Sequence, residues 1–190
     1  MKFIFYTTNQ EKLAEAKIAL AAFGFEVEGR SFPFIEPTKG TMEDIASYKL
    51  SQIKHDDDSP IMVDDSGIYF EAYPGFPGIL TKRTFRTLGY KGIRKLLDGE
   101  TRRAFFQGAI ALRWQGEIKT FIGETYGSII TNIPLDLAND LKFPFDPIFI
   151  PDGDNRVLSE MSLEQRVAYS YRRKALNALV EWLTQHAIKR

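Results

Sequence analysis

Phe3-Ile4-Phe5-Tyr6-Thr7-Thr8-Asn9-Gln10-Glu11-Lys12-Leu13 carries the chain from an apolar run through a polar quartet into a periodic segment. Phe3 to Tyr6 reads as a short buried strand. Leu13, Ala16, Leu20 and Phe23 then recur at helical spacing until Gly24, a natural helix stop. A strand, a short polar loop and a helix at the start of a chain point to the α/β class. The loop between them matters because the first turn of a helix presents unpaired amides suited to an anion.

Working outward, a second helix is expected from the Thr41 cap, with Ile45, Ala46, Leu50 and Ile53 turned inward. After the acidic run Asp56-Asp57-Asp58, Pro60 to Val63 reads as a buried strand that delivers Asp64-Asp65-Ser66-Gly67 at its end. Gly75 to Gly78 is a turn-rich loop, and a helix is expected around Ile93 to Leu97, stopped by Gly99. Arg103 to Trp114 and Glu117 to Glu124 flank Gln115-Gly116 and read as a long hairpin. Ser162-Leu163-Glu164-Gln165 has the form of a capping box, and Leu176, Leu179, Val180 and Leu183 stripe a last helix. These elements predict one α/β domain over residues 1–190, with a mixed central sheet flanked by helices.

Bulk properties narrow the function. The 190 residues are 44% hydrophobic, enough for one core or for two lobes on a shared sheet. Lysine plus arginine (25) equals aspartate plus glutamate (25), so no general basic field exists for nucleic acid. Cysteine is absent, which removes thiolate metal sites and a cysteine nucleophile. No stretch approaches the roughly 20 apolar residues of a membrane span, and the cytoplasm is the expected compartment.

Four clusters carry chemistry. Thr7-x-Asn9-x-x-Lys12 groups a hydroxyl, an amide and an ammonium at a strand-to-helix turn, where each can donate to phosphate; alone, it is equally a capped helix with a surface lysine. Asp64-Asp65-Ser66-Gly67 offers carboxylates to a hard cation such as Mg²⁺, with Glu36 and Glu43 as candidate partners; alone, it is also an ordinary turn. Phe143-Pro144-Phe145-Asp146-Pro147-Ile148-Phe149 could stack rings on a flat base and accept from its edge, or simply pack the core. Ser170-Tyr171-Arg172-Arg173-Lys174 could reach a base carbonyl or phosphate, or be a basic helix face. Neither His55 nor His186 falls in a motif. Phosphate donors, then carboxylates, then aromatics, then arginines, each beside an element boundary, form the layout of a nucleotide site.

In this order and spacing the chain resembles the inosine triphosphate pyrophosphatase family, with its T-x-N-x-x-K, D-D-S-G, F-G-Y-D-P-I-F and S-H-R motifs, nearly end to end. The resemblance implies a nucleotide cleft between two lobes, with Thr7, Asn9 and Lys12 on the phosphates and Ser66 beside them. It implies Glu36 and Asp65 on Mg²⁺, and Asp65, Asp64 and Lys12 as the catalytic groups. Phe143, Phe145, Asp146, Arg166, Ser170, Tyr171 and Arg172 fall at base-side positions. It further implies hydrolysis of ITP, dITP or XTP to monophosphate and pyrophosphate by a homodimer. Three residues depart from the family pattern, all on the base side: Pro144 replaces glycine, Tyr171 replaces histidine and Arg166 replaces lysine. They leave open a pyrophosphatase with another base preference, and beside it a nucleotide-binding protein without turnover.

Overall fold

Ile61–Phe70 form β3, the strand on which the architecture turns. In the computed structural model, which describes residues 1–54, 59–137 and 143–187, six strands make one sheet in the order β2-β1-β3-β4-β5-β6. The others are β1 (Lys2–Tyr6), β2 (Glu26–Arg30), β4 (Arg103–Trp114), β5 (Glu117–Ile129) and β6 (Phe149–Pro151). β1 runs parallel to both β2 and β3, whereas the pairs β3–β4, β4–β5 and β5–β6 are antiparallel, so the expected α/β fold with a mixed sheet is what forms.

β3 pairs with β4 along its whole length, from Ile61↔Arg113 to Phe70↔Ala104. With β1 it pairs only at Ile4↔Ile61 and Phe5↔Met62, because β1 ends at Tyr6 and the chain leaves the sheet. Beyond Met62, therefore, β3 has no strand on its β1 side among the described residues, and Asp64 there joins Tyr6 and Thr7 in lining a cavity. This corrects the expectation that the strand ends at Asp64: Asp64, Asp65, Ser66 and Gly67 all pair within it. Inside a strand, consecutive side chains face opposite ways, so the two aspartates serve opposite faces of the sheet.

Helices cover both faces. α1 (Gln10–Ala21) and α5 (Tyr171–Ala187) pack on Phe3, Phe5, Met62, Ile110 and Leu112. α2 (Met42–Ser51) packs on Ile4, Ile61, Val63, Ala109 and Ala111 opposite. A third apolar cluster joins Ile68, Phe70, Phe85, Ile93, Phe145 and Phe149 around α3 (Thr81–Leu96). Caps fix where the helices begin. Asn9 accepts from the amides of Glu11 and Lys12, Thr41 forms a capping box with Asp44, and Ser162 forms one with Gln165 to start α4 (Leu163–Tyr169).

The differences have local causes. α3 begins twelve residues before the expected Ile93 and changes course at Gly89, where φ is 56°, so a single apolar period does not run through it. β2 (Glu-Val-Glu-Gly-Arg) is a polar edge strand with one buried side chain, and composition alone does not mark it. His186 is exposed and stacks on Trp182. His55, the acidic run Asp56–Asp58 and Asn139–Lys142 lie outside the described residues. Among the described residues, no helix is long and apolar enough to cross a membrane.

Candidate functional site

Asp64 is the centre of a buried ion network. It is 5% exposed and projects from β3 to the α1 and α5 face, where Lys12 Nζ lies 3.1 Å from Oδ1 and Arg172 Nε 2.8 Å from Oδ2. Burial opposes the ionised form, but the charges of Lys12 and Arg172, with the Arg172 hydrogen bond, outweigh it and hold the carboxyl well below the usual range. Arg172, 3% exposed, also pairs with Glu15 and donates from Nη2 to the Tyr171 hydroxyl at 3.0 Å. Burial lowers its basicity, yet Glu15, Tyr171 and Asp64 raise it further, so the guanidinium stays charged.

Asp65 points the other way, to α2. Its Oδ1 accepts from the Ser66 amide at 2.8 Å, and its Oδ2 lies 3.7 Å from Lys49 Nζ. The same ammonium is 3.3 Å from Glu36 Oε1 and donates to the Asp64 carbonyl at 3.3 Å. Glu36 and Asp65, paired in the sequence reading, thus face a common cationic point. Burial raises the Glu36 pKa, but the charges of Lys49 and Lys82 carry it below its ordinary value. Glu43, the other candidate, sits exposed in the first turn of α2.

Two cavities meet over this network. The polar one is lined by Thr7, Asn9, Lys12, Glu36, Lys49 and Asp64, among others. The other is largely apolar and is lined by Phe143, Phe145, Asp146, Arg166, Ser170 and Tyr171, with Ser66 and Arg172 at its inner end. Except for Asp65 and Glu43, which line neither, the sequence-identified residues are therefore brought to one continuous cleft.

The apolar cavity has a structural floor. Ser66, Gly108 and Gly123 are register partners across β3, β4 and β5. A Cβ at Gly108 would meet the Tyr171 ring, and one at Gly123 would meet the Tyr171 carbonyl, so the two glycines admit the start of α5. Tyr171 stacks on Phe106 at 5.7 Å, and burial pushes its hydroxyl up to about 12, so it stays protonated. Ser170, between α4 and α5, bonds Glu15 and caps the amide of Arg173. Phe145 is wholly buried, with its ring edge-on to Phe70 and Phe85; Phe143 is half-buried at the cavity wall. Asp146 accepts from Arg166 Nη1 at 3.1 Å, and burial, only partly offset by Arg166, raises its pKa to about 6.

Two network members escaped the sequence reading. Lys49 looks like any solvated helix lysine, but loop residue Phe34 lies 5.3 Å from its ammonium and helps cover it. Glu15 follows Lys12 by three residues, one helical turn, which was a usable signal of a shared face.

The Ham1 family model matches residues 3–182. The chain is 36% identical over 184 residues to a dITP/XTP pyrophosphatase of Pyrococcus horikoshii, covering 96% of this chain and 97% of that protein. It is 37% identical over 187 residues to a dITP/XTP pyrophosphatase of Thermococcus kodakarensis, covering 98% and 99%. Its structure is similar to that of the Staphylococcus aureus Ham1 protein, with a TM-score of 0.75, 28% identity and coverage of 98% and 100%. A profile match across nearly the whole chain, together with relatives of this identity and length, agrees with the resemblance read from the motifs: this chain belongs to the Ham1 family.

Proposed function

We propose that the protein hydrolyses non-standard purine nucleoside triphosphates such as ITP, dITP and XTP to the monophosphate and pyrophosphate. The observation that carries this reading is the join between the two cavities, one lined by Lys12, Lys49 and carboxylates, the other by aromatic side chains and Asp146. A triphosphate spans the first and its base enters the second. The names of the Pyrococcus and Thermococcus relatives support the same substrates.

Mg²⁺ fits the residues present. Among the described residues no three His, Cys, Asp or Glu side chains converge, but Mg²⁺ in nucleotide sites takes one or two carboxylates, and Glu36 and Asp65 already flank one cationic point. Held there, the ion would neutralise phosphate charge.

The chain's own groups do the rest. Thr7, Asn9 and Lys12 hold phosphate oxygens at the start of α1. Asp65, braced by the Ser66 amide, takes a proton from the water that attacks the α-phosphorus, the bond to the β-phosphate oxygen breaks, and pyrophosphate leaves. Asp64, with both oxygens committed to Lys12 and Arg172, positions those cations and does not act as the base. Phe143 stacks on the purine, while Phe145 supports the loop from the core. Tyr171 offers its proton to the base, and Arg166 aligns Asp146 with the base edge.

A cytoplasmic homodimer belongs to the same proposal. Tyr69, Phe105 and Tyr126 stack in register across β3, β4 and β5 at 5.0 and 5.1 Å, and Tyr126 is exposed, giving the hairpin an aromatic surface.

The test is incubation with Mg²⁺ and a panel of six triphosphates, with monophosphate, pyrophosphate and orthophosphate assayed separately. Pyrophosphate release, fastest from ITP or XTP and abolished in Asp65→Asn, supports the reading. Another preferred base keeps the reaction and removes the specificity; binding without turnover removes both.

A further inference from the structure

Residues 31–41 join β2 to α2 without regular structure, and Glu36 lies in the middle of them. Its side chain is 51% exposed and meets Lys49 Nζ at 3.3 Å, an ion pair too open to water to fix a carboxylate by itself. The backbone that carries Glu36 therefore needs a hold of its own, because an untethered segment spreads over many conformations. Asp65 has no such need, since β3 and the Ser66 amide already fix it.

Gln52, the C-cap residue of α2, supplies the hold. Its Oε1 accepts from the Ile35 amide at 2.9 Å, and its Nε2 donates to the Ile35 carbonyl at 2.9 Å. One side-chain amide thus satisfies both backbone groups of a single residue, as a neighbouring strand would. The Ile35 side chain takes no part and is 69% exposed. Phe34 and Glu36, on either side of it, both turn to Lys49, the ring centroid 5.3 Å and the carboxylate 3.3 Å from the ammonium. Lys49 and Gln52 are three residues apart and share a face of α2, so the end of one helix grips residues 34, 35 and 36 in succession.

We infer that Gln52 is a positioning residue for Glu36: by holding the Ile35 backbone it keeps the Glu36 carboxylate facing Asp65 across Lys49, and so sets the affinity of the site for a divalent cation. It touches neither cation nor nucleotide. The inference rests on the proposed pyrophosphatase reading, in which Glu36 and Asp65 hold Mg²⁺, and adds to it the group that keeps the first of them in place.

The experiment compares wild type, Gln52→Met, which keeps the bulk and removes both bonds, Glu36→Gln, and the double variant. Each is followed by calorimetric Mg²⁺ titration, by hydrogen exchange at the Ile35 amide and by the Mg²⁺ dependence of ITP turnover. For Gln52→Met the expected result is a roughly 5- to 50-fold loss of Mg²⁺ affinity, the range of two hydrogen bonds, with a matching rise in half-saturating Mg²⁺ and faster exchange at Ile35. The kcat at saturating Mg²⁺ and the melting temperature should stay unchanged. With Glu36 already replaced, Gln52→Met should cost no further Mg²⁺ affinity, because its action passes through that carboxylate. Unchanged Mg²⁺ affinity in Gln52→Met, or an undiminished loss in the Glu36→Gln background, overturns the assignment. Absence of turnover in the wild type would instead overturn the pyrophosphatase reading, and titration and exchange would still decide Gln52 by themselves.

Discussion

Arg172 donates from Nε to Asp64 Oδ2 at 2.8 Å, joining residues 108 positions apart, both almost fully enclosed. Taking one partner from such a pair leaves a charge in a place water does not reach. Asp64→Asn should therefore cost about 3–5 kcal/mol in urea unfolding at neutral pH. The native pKa of Asp64 is depressed, so its contribution is present above the unfolded value near 3.8 and is lost as pH falls below it. The acid limb of the stability curve should accordingly be shallower in Asp64→Asn than in wild type. Equal limbs would show that the native pKa of Asp64 is not depressed.

Phe143 and Phe145 should separate cleanly. Phe145→Ala removes a ring packed on Phe70 and Phe85 and should lower stability by about 3–5 kcal/mol, as for other buried phenylalanines. Phe143→Ala should leave the melting temperature nearly unchanged and weaken inosine monophosphate binding by about 1–3 kcal/mol, the worth of a base stack. The reverse pattern would place the purine on Phe145.

Asp146 predicts a pH effect of opposite sign to that of Asp64. Its native pKa is raised to about 6, so its stabilising contribution is complete below the unfolded value near 3.8 and disappears as pH rises through 6. Unfolding free energies of wild type and Asp146→Asn, measured from pH 4 to 7, should converge at the acid end and diverge toward neutrality, with the variant the more stable. Parallel curves would rule out the raised pKa.

Lys49 occupies the point between Glu36 and Asp65 with its own charge. Lys49→Met should bind Mg²⁺ about tenfold more tightly without nucleotide, since a competing cation has gone, yet turn over ITP at least about tenfold more slowly. Calorimetric Mg²⁺ titration of the nucleotide-free protein checks the first part. Weaker Mg²⁺ binding would mean that Lys49 organises the carboxylates rather than competing for them.

The sequence was most legible where one physical pattern acts alone. The apolar period of α5, the Thr41 and Ser162 caps and the Gln115-Gly116 hairpin turn each depend on neighbours in the chain, and each is where the motifs place it. Asp64 to Gly67 misleads because its composition is that of a turn; pairing with β4 holds it in a strand, and the early end of β1 gives its carboxylates somewhere to point. Candidate site residues were readable as types in order, but their partners were not. Nothing local indicates that Arg172 lies on Asp64 or that Phe145 is turned into the core, because both facts come from elements meeting in space. Lys49 is the extreme case, its burial depending on a loop that carries Phe34 over it.

The late position of α5 has a consequence for the chain during its synthesis. Until residue 171 and those beyond it emerge, Ile110, Leu112 and Phe121 lack the cover of Leu176, Leu179 and Leu183, and Asp64 lacks Arg172. The hairpin can pair by itself, but its α5-facing side stays wet and adhesive, and the acid at the centre keeps Lys12 but lacks the Arg172 salt bridge. Docking of the last helix seals that apolar surface and supplies the second cation in one event. A chain lacking α5 would leave this apolar face uncovered and Asp64 without Arg172, so the buried network is complete only once α5 has docked.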